Sequence, residues 1–247
     1  MSGKNKRQKE YLIYLILLIS IALRVAKLMI DPLLMRDSSK YLIQIDKWVQ
    51  YNDYKAIIEI NQDAVPPLPL WIVKELMIFG FNSEITGRAF NIFISSFIPI
   101  ICMILAYKLF RNYKVSAIAL CLSLIHPQII KFSIQPLRDN LGLLLAGLYL
   151  IFIVDAIKTQ KREWWIKAGI ICAVDVFCRY ESVEFIAITT IILVVLHFFE
   201  RVPAKKCIGL FALFLISFIT TCSAIYMVGD FDLGFISKIG YSMSENG

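Results

Sequence analysis

The chain has 247 residues, of which 58% are hydrophobic and 18% charged, with a mean hydropathy of +0.68. A soluble core of this length does not need so much apolar surface, whereas a bundle of membrane spans does. The net charge of +7 comes without a basic stripe interleaved with exposed aromatics, which excludes a nucleic-acid partner.

Basic clusters recur between the apolar stretches. Lys4, Lys6, Arg7 and Lys9 precede the first stretch. Lys108/Arg111/Lys114, Lys158/Lys161/Arg162 and Arg201/Lys205/Lys206 follow later ones. Positive loops stay cytoplasmic, so these clusters predict a cytoplasmic N-terminus and an outer C-terminus. The fold class is all-α: a polytopic transmembrane bundle of about seven spans, forming a single membrane domain over 1–247. Residues 1–10 read as a cytoplasmic tail and 229–247 as an outer tail.

In chain order, Tyr11–Ile30 is the first predicted span, ended by Asp31-Pro32, because proline disfavours helical geometry in the residue before it. It is too long for a signal-peptide core and remains as an anchor. The outer loop 31–84 is too charged to cross, and two interfacial helices are expected in it. Ser38–Tyr51 places Tyr41, Leu42, Ile45, Trp48 and Val49 at helical spacing, opposite Lys40, Gln44 and Lys47. Leu68–Phe79 starts after Pro66-Pro67, ends near Gly80, and is too short to span. The remaining spans are Ile85–Leu109, Val115–Ile130, Leu137–Ile157, Trp164–Cys178, Val183–Phe199 and Ile208–Val228. The six cysteines show no CxxC spacing and read as small apolar thiols.

This topology gathers the non-cytoplasmic charges at the outer ends of the spans: Arg36-Asp37, Arg88, Lys131, Arg138-Asp139, and Arg179 with Glu181 and Glu184. Ionisable groups near membrane depth are costly, so several at one level suggest a site, and a surplus of cations suits a phosphate-bearing ligand. Each residue also has a plainer role. Arg24 and Lys27 would snorkel to the interface. Asp37 would cap a helix, and Arg138-Asp139 would form an interfacial ion pair. Arg179 and Glu181 would pair with each other, Asp175 would neutralise Arg179, and His126-Pro127 would make a kink.

The order of segments resembles the GT-C fold glycosyltransferases that use lipid-phosphate-linked sugars, such as protein O-mannosyltransferases and aminoarabinose transferases. The segments are Arg36-Asp37-Ser38-Ser39-Lys40-Tyr41, Val65-Pro66-Pro67-Leu68-Pro69-Leu70-Trp71, Gly87-Arg88-Ala89-Phe90, Gln135-Pro136-Leu137-Arg138-Asp139-Asn140-Leu141 and Arg179-Tyr180-Glu181-Ser182. The first loop carries a single acid where many members have an acidic pair. Tyr180 and Ser182 replace the usual proline and glycine. Members usually continue beyond seven spans, so a chain stopping at Gly247 reads as a fragment or as a minimal member.

The resemblance implies an integral-membrane glycosyltransferase whose site faces the non-cytoplasmic side. Its donor is a polyprenyl- or dolichyl-phosphate sugar, and its acceptor a hydroxyl of protein, lipid or glycan. Asp37 is the implied general base. Arg88, Lys131, Arg138 and Arg179 are the implied donor-phosphate ligands, and Arg36, Asp139 and Glu181 support them. No cofactor is implied, although a divalent cation bridging Asp37 and the phosphate is compatible with the pattern. The same cations would also suit a lipid-linked sugar flippase, or an inactive remnant of a transferase.

Overall fold

The computed structural model describes residues 3–52, 54, 66–200 and 202–229. Among these residues the secondary structure is helical throughout, with eleven α-helices and two 3₁₀ turns. The predicted outer tail beyond Gly229, part of the first outer loop and Arg201 lie outside the described residues.

The first helix, α1 (Gly3–Ile30), continues back through the predicted cytoplasmic tail. It presents Tyr14, Leu18 and Met29 outward, as a lipid-facing helix must. The loop after Asp31 leads into α2 (Arg36–Tyr51), whose buried face carries Leu42, Ile45 and Trp48. The helix α3 (Pro67–Leu76) begins with proline, where a missing N–H costs nothing. A 3₁₀ turn (Met77–Phe79) then closes on Gly80, whose φ of 85° needs a residue without Cβ.

Two expected single spans are broken. The stretch expected over Ile85–Leu109 is α4 (Ser83–Ser95) and α5 (Ile98–Phe110), interrupted just before Pro99. The next is α6 (Tyr113–Ile125) and α7 (Pro127–Ser133), bent by 50° at His126. A proline ring displaces the carbonyl one turn earlier and cannot donate to it, and that places both breaks. Then follow α8 (Asp139–Thr159), α9 (Arg162–Val176), a 3₁₀ turn (Tyr180–Val183), α10 (Glu184–Phe198) and α11 (Ala204–Gly229).

Among the described residues, five segments are long and apolar enough to cross a membrane, or six if the bent α6–α7 pair counts as one. The predicted span Trp164–Cys178 corresponds to α9. At 15 residues it is about 22 Å long, short of the ~30 Å hydrocarbon core. Nevertheless it runs between the two ends of the bundle. Its start lies beside Gln160, which accepts a 2.5 Å hydrogen bond from Lys206 at the head of α11. Just past its other end, Glu181 pairs with Arg138 at the head of α8.

Contacts across the bundle therefore define two poles. At one, Lys108 grips both carboxylate oxygens of Asp155 at 2.6 and 2.7 Å, and Lys158 donates to the Lys108 carbonyl. The basic clusters of the α5–α6, α8–α9 and α10–α11 connections gather there. At the opposite pole lie the entry to α2, Arg88, Arg138 and Glu181. All six cysteines are free thiols.

The core of the second half is α9, sandwiched by α8 and α11, with Trp165, Ala168, Cys172 and Phe214 fully buried. The close approach needs Gly169: a Cβ there would lie 2.1 Å from Ser217 Oγ and 2.4 Å from the Phe214 carbonyl oxygen. Gly169→Leu is expected to separate α9 from α11 and destabilise the fold by at least about 1–3 kcal/mol. Thermal unfolding in detergent checks this; an unchanged melting temperature would contradict the packing.

Candidate functional site

The pole opposite the basic clusters is assembled by polar side chains that satisfy loop backbone. The Arg88 guanidinium is 6% exposed. Its Nη2 donates to the Pro32 carbonyl at 2.6 Å, Nη1 to the Ile134 carbonyl at 3.3 Å, and Nε to Glu84 at 3.0 Å. Gln135 is the second brace. Its Nε2 donates to the Leu33 carbonyl at 2.9 Å, and its Oε1 accepts from the Met35 N–H and from Ser38 Oγ, both at 3.0 Å. Asn140 is the third, donating to Asn91 Oδ1 and to the Phe132 carbonyl. Gly87 lets this wall close, because a Cβ there would meet Pro136 Cβ at 2.8 Å.

These braces fix loop 31–35 against loop 134–138 and so place the first turn of α2 beside the first turn of α8. Met35, not Asp37, is the N-cap of α2, and no side chain caps it. Asp37 is therefore not a cap. It sits exposed in the first turn, where the helix dipole favours its charge. One turn on, Tyr41 lies in the combined field of Arg138, Asp139, Asp37 and Glu181. Burial pushes its hydroxyl well above the usual phenol range, Arg138 opposes that rise, and the three carboxylates add to it.

Among the described residues Arg138 makes one ion pair, a 3.3 Å contact with the half-exposed Glu181. Arg179 does not pair with Glu181 as expected. Its stem instead crosses the head of α8 at Gly142, where a Cβ would stand 2.4 Å from Arg179 Cδ. Its neighbour Asp175 is 1% exposed and accepts from Ser182 Oγ at 2.8 Å, while the other carboxylate oxygen has no hydrogen-bond partner among the described residues. The proline-led α3 docks onto the same bend through Leu68 N–H to the Phe177 carbonyl at 3.1 Å. Tyr54 and Tyr180 share a hydrogen bond beside it.

The site residues expected from sequence thus fall into three groups. The charges of Asp37, Arg138, Asp139 and Glu181 all act on Tyr41, with exposed Arg36 next to Asp37 and the Arg179 stem at the head of α8. Arg88 lies behind them as a brace. Lys131 stands apart: it is exposed and acts on Asp31, whose carboxyl is held below its usual range chiefly by the hydrogen bond from Lys27, then by the charges of Lys27 and Lys131. The snorkelling expected of Arg24 and Lys27 is corrected. Arg24 is fully buried, and Lys27 pairs with Asp31 at 3.0 Å. Among the described residues no group of three or more His, Cys, Asp or Glu side chains is arranged to hold a metal ion.

Sequence reasoning missed Tyr41 as a site residue and Gln135 and Asn140 as braces. The signal for Tyr41 was its position four residues after Asp37, on one helix face. Gln135 and Asn140 gave no signal beyond flanking Arg138-Asp139.

Residues 64–226 match the family described as dolichyl-phosphate-mannose-protein mannosyltransferase. The chain belongs to that family. It is an integral-membrane glycosyltransferase of GT-C type, and its donor class is a dolichyl-phosphate sugar. No curated protein and no solved structure matches the chain. The matched region contains Arg88, Arg138 and Arg179; Asp37 and the Gln135-held loop segment precede it.

Arg88→Ala is expected to destabilise the protein by about 1–3 kcal/mol for each buried carbonyl left without a donor. Arg88→Lys should restore only part of this, because an ammonium cannot reproduce the guanidinium fork. Thermal denaturation of both variants in detergent checks the brace.

Proposed function

We propose that this mannosyltransferase-family chain moves a sugar from a polyprenyl- or dolichyl-phosphate donor to an acceptor hydroxyl, with inversion, at the non-cytoplasmic membrane face. The observation that carries the proposal is the contrast in commitment among the charges at one pole. Arg88 spends its guanidinium on Glu84 and two loop carbonyls. The charges of Asp37, Arg138 and Asp139 all act on Tyr41, and among the described residues Arg138 pairs with the partly exposed Glu181 while Asp37 and Asp139 form no ion pair.

In the proposed reaction Asp37 accepts the acceptor hydroxyl proton as that oxygen attacks the anomeric carbon. The bond from that carbon to the phosphate oxygen breaks, and polyprenyl phosphate leaves with the electron pair. Negative charge grows on the departing phosphate, and preorganised guanidinium groups aimed there lower the barrier. Arg138 and Arg179 are the proposed ligands for that charge. Glu181 and Asp139 set the local field, and Arg36 adds positive potential beside Asp37. Arg88 contributes as the brace that holds the loop leading to Asp37. Lys131, beside Asp31, is proposed to draw the anionic headgroup toward the pole.

The basic connections are proposed to lie in the cytoplasm, which puts Asp37 outside and makes α9 the fifth of seven crossings. The acceptor class and the sugar are left to the assay.

Transfer from a radiolabelled lipid-phosphate sugar by purified protein tests the reading. Asp37→Asn is expected to reduce kcat by about 10²–10⁴-fold, and Arg138→Gln by about 10²–10³-fold. Equal rates for Asp37→Asn and wild type would remove Asp37 as the base. A gentler perturbation is Gly142→Ala, which displaces the Arg179 stem and leaves the fold intact. A misplacement of that kind is expected to lower kcat by up to about 10²-fold, with an unchanged melting temperature.

A further inference from the structure

Arg24 lies six residues inside the outer end of the α1 span Ile13–Ile30, a depth of about 9 Å. A charged side chain at such a level is expensive unless protein groups replace water. Here they do. Arg24 is fully buried, as are Ser20, Ser95 and Ser96. Its Nε donates to Ser95 Oγ at 2.8 Å and its Nη2 to the Ser95 carbonyl at 2.9 Å. Its Nη1 donates to the Ser20 carbonyl at 2.8 Å and to Ser20 Oγ at 2.6 Å. No acid takes part; the acceptors are hydroxyls and carbonyls.

The choice of the Ser95 carbonyl has a cause in the sequence. In an uninterrupted helix its donor would be the N–H four residues on, and that residue is Pro99. The break between α4 and α5 therefore leaves one carbonyl without its helical partner inside the membrane, and the α1 guanidinium supplies the missing donor.

A second contact of the same kind links the same two segments near the pole. There Arg88 of α4 donates to the Pro32 carbonyl just beyond α1 at 2.6 Å. Ser95 and Arg88 are seven residues apart on α4, and Arg24 and Pro32 eight apart on the α1 side, both about 10–12 Å of helix rise. The two rungs thus match in length, each a guanidinium from one segment gripping a carbonyl of the other. The upper rung holds the loop that presents Asp37.

We propose that Arg24 is a positioning residue: by supplying the donor that Pro99 withholds from Ser95, it locks the register of α1 on the α4–α5 break and thereby sets where Asp37 stands relative to Arg138. The register lock concerns the fold alone. Its consequence for turnover rests on the transferase reading above, so the two are measured separately.

The decisive readout is hydrogen–deuterium exchange in segment 31–36, where the Met35 N–H is held by Gln135. Arg24→Leu is expected to raise uptake there at least tenfold and to lower kcat about tenfold, with donor KM within twofold of wild type. Pro99→Ala alone returns an N–H to the Ser95 carbonyl and should leave uptake in 31–36 unchanged. Arg24→Leu combined with Pro99→Ala should recover the melting temperature, because the carbonyl is again satisfied, yet keep the raised uptake, because α1 is still unlocked. Arg24→Gln, which keeps one amide donor, gives the same comparison should the leucine variant not fold.

Wild-type uptake in 31–36 for the folded Arg24 variants would overturn the proposal. So would full recovery of that uptake in the double variant, since Arg24 would then merely satisfy a stray carbonyl. Exchange is read without any sugar transfer, so inactivity of the wild-type protein toward the lipid-phosphate donor would count against the transferase reading and leave the register result standing.

Discussion

A backbone carbonyl within or near the hydrocarbon layer has no water to turn to, and it must find a donor from the protein. That constraint organises the pole carrying the candidate site. Pro32, Leu33 and Ile134 all offer carbonyls from loop segments where no helix supplies donors. Arg88 and Gln135 answer them with side-chain N–H groups. Once those bonds form, the entry to α2 and the entry to α8 are neighbours, and Asp37 and Arg138 come under one roof. Without them the entry to α2 would lose its hydrogen bonds to loop 134–138.

The same physics explains why equal-looking residues take unlike roles. An arginine carries five N–H donors in a rigid fork, well suited to gripping several carbonyls at once. Arg24 and Arg88 are used that way, deep among buried groups. Arg138 and Arg179 sit where loop and helix heads leave fewer acceptors, and they are the cations proposed here for the donor phosphate.

Much of the architecture was legible in the chain. The apolar stretches, the basic connections and the proline-led α3 fell where periodicity and turn chemistry put them. The kink at His126-Pro127 was legible too, whereas the break before Pro99 was not, because a long apolar run looks continuous in composition even where one ring removes a donor. The sequence predicts a span over Trp164–Cys178, whereas the α9 helix found there is too short to count as one by length and is buried between α8 and α11.

The sequence by itself determined an all-helical membrane protein with charges at its span ends, and it singled out Asp37, Arg88, Lys131, Arg138 and Arg179 as candidates. Tertiary structure alone decided which cations are spoken for. Arg88 reaches acceptors 46 and 56 residues away, Arg24 reaches one 71 away, and Gln135 holds backbone 100 and 102 residues away. A donor's partner over such separations depends on how helices pack and where loops close. No local pattern of residue types encodes that.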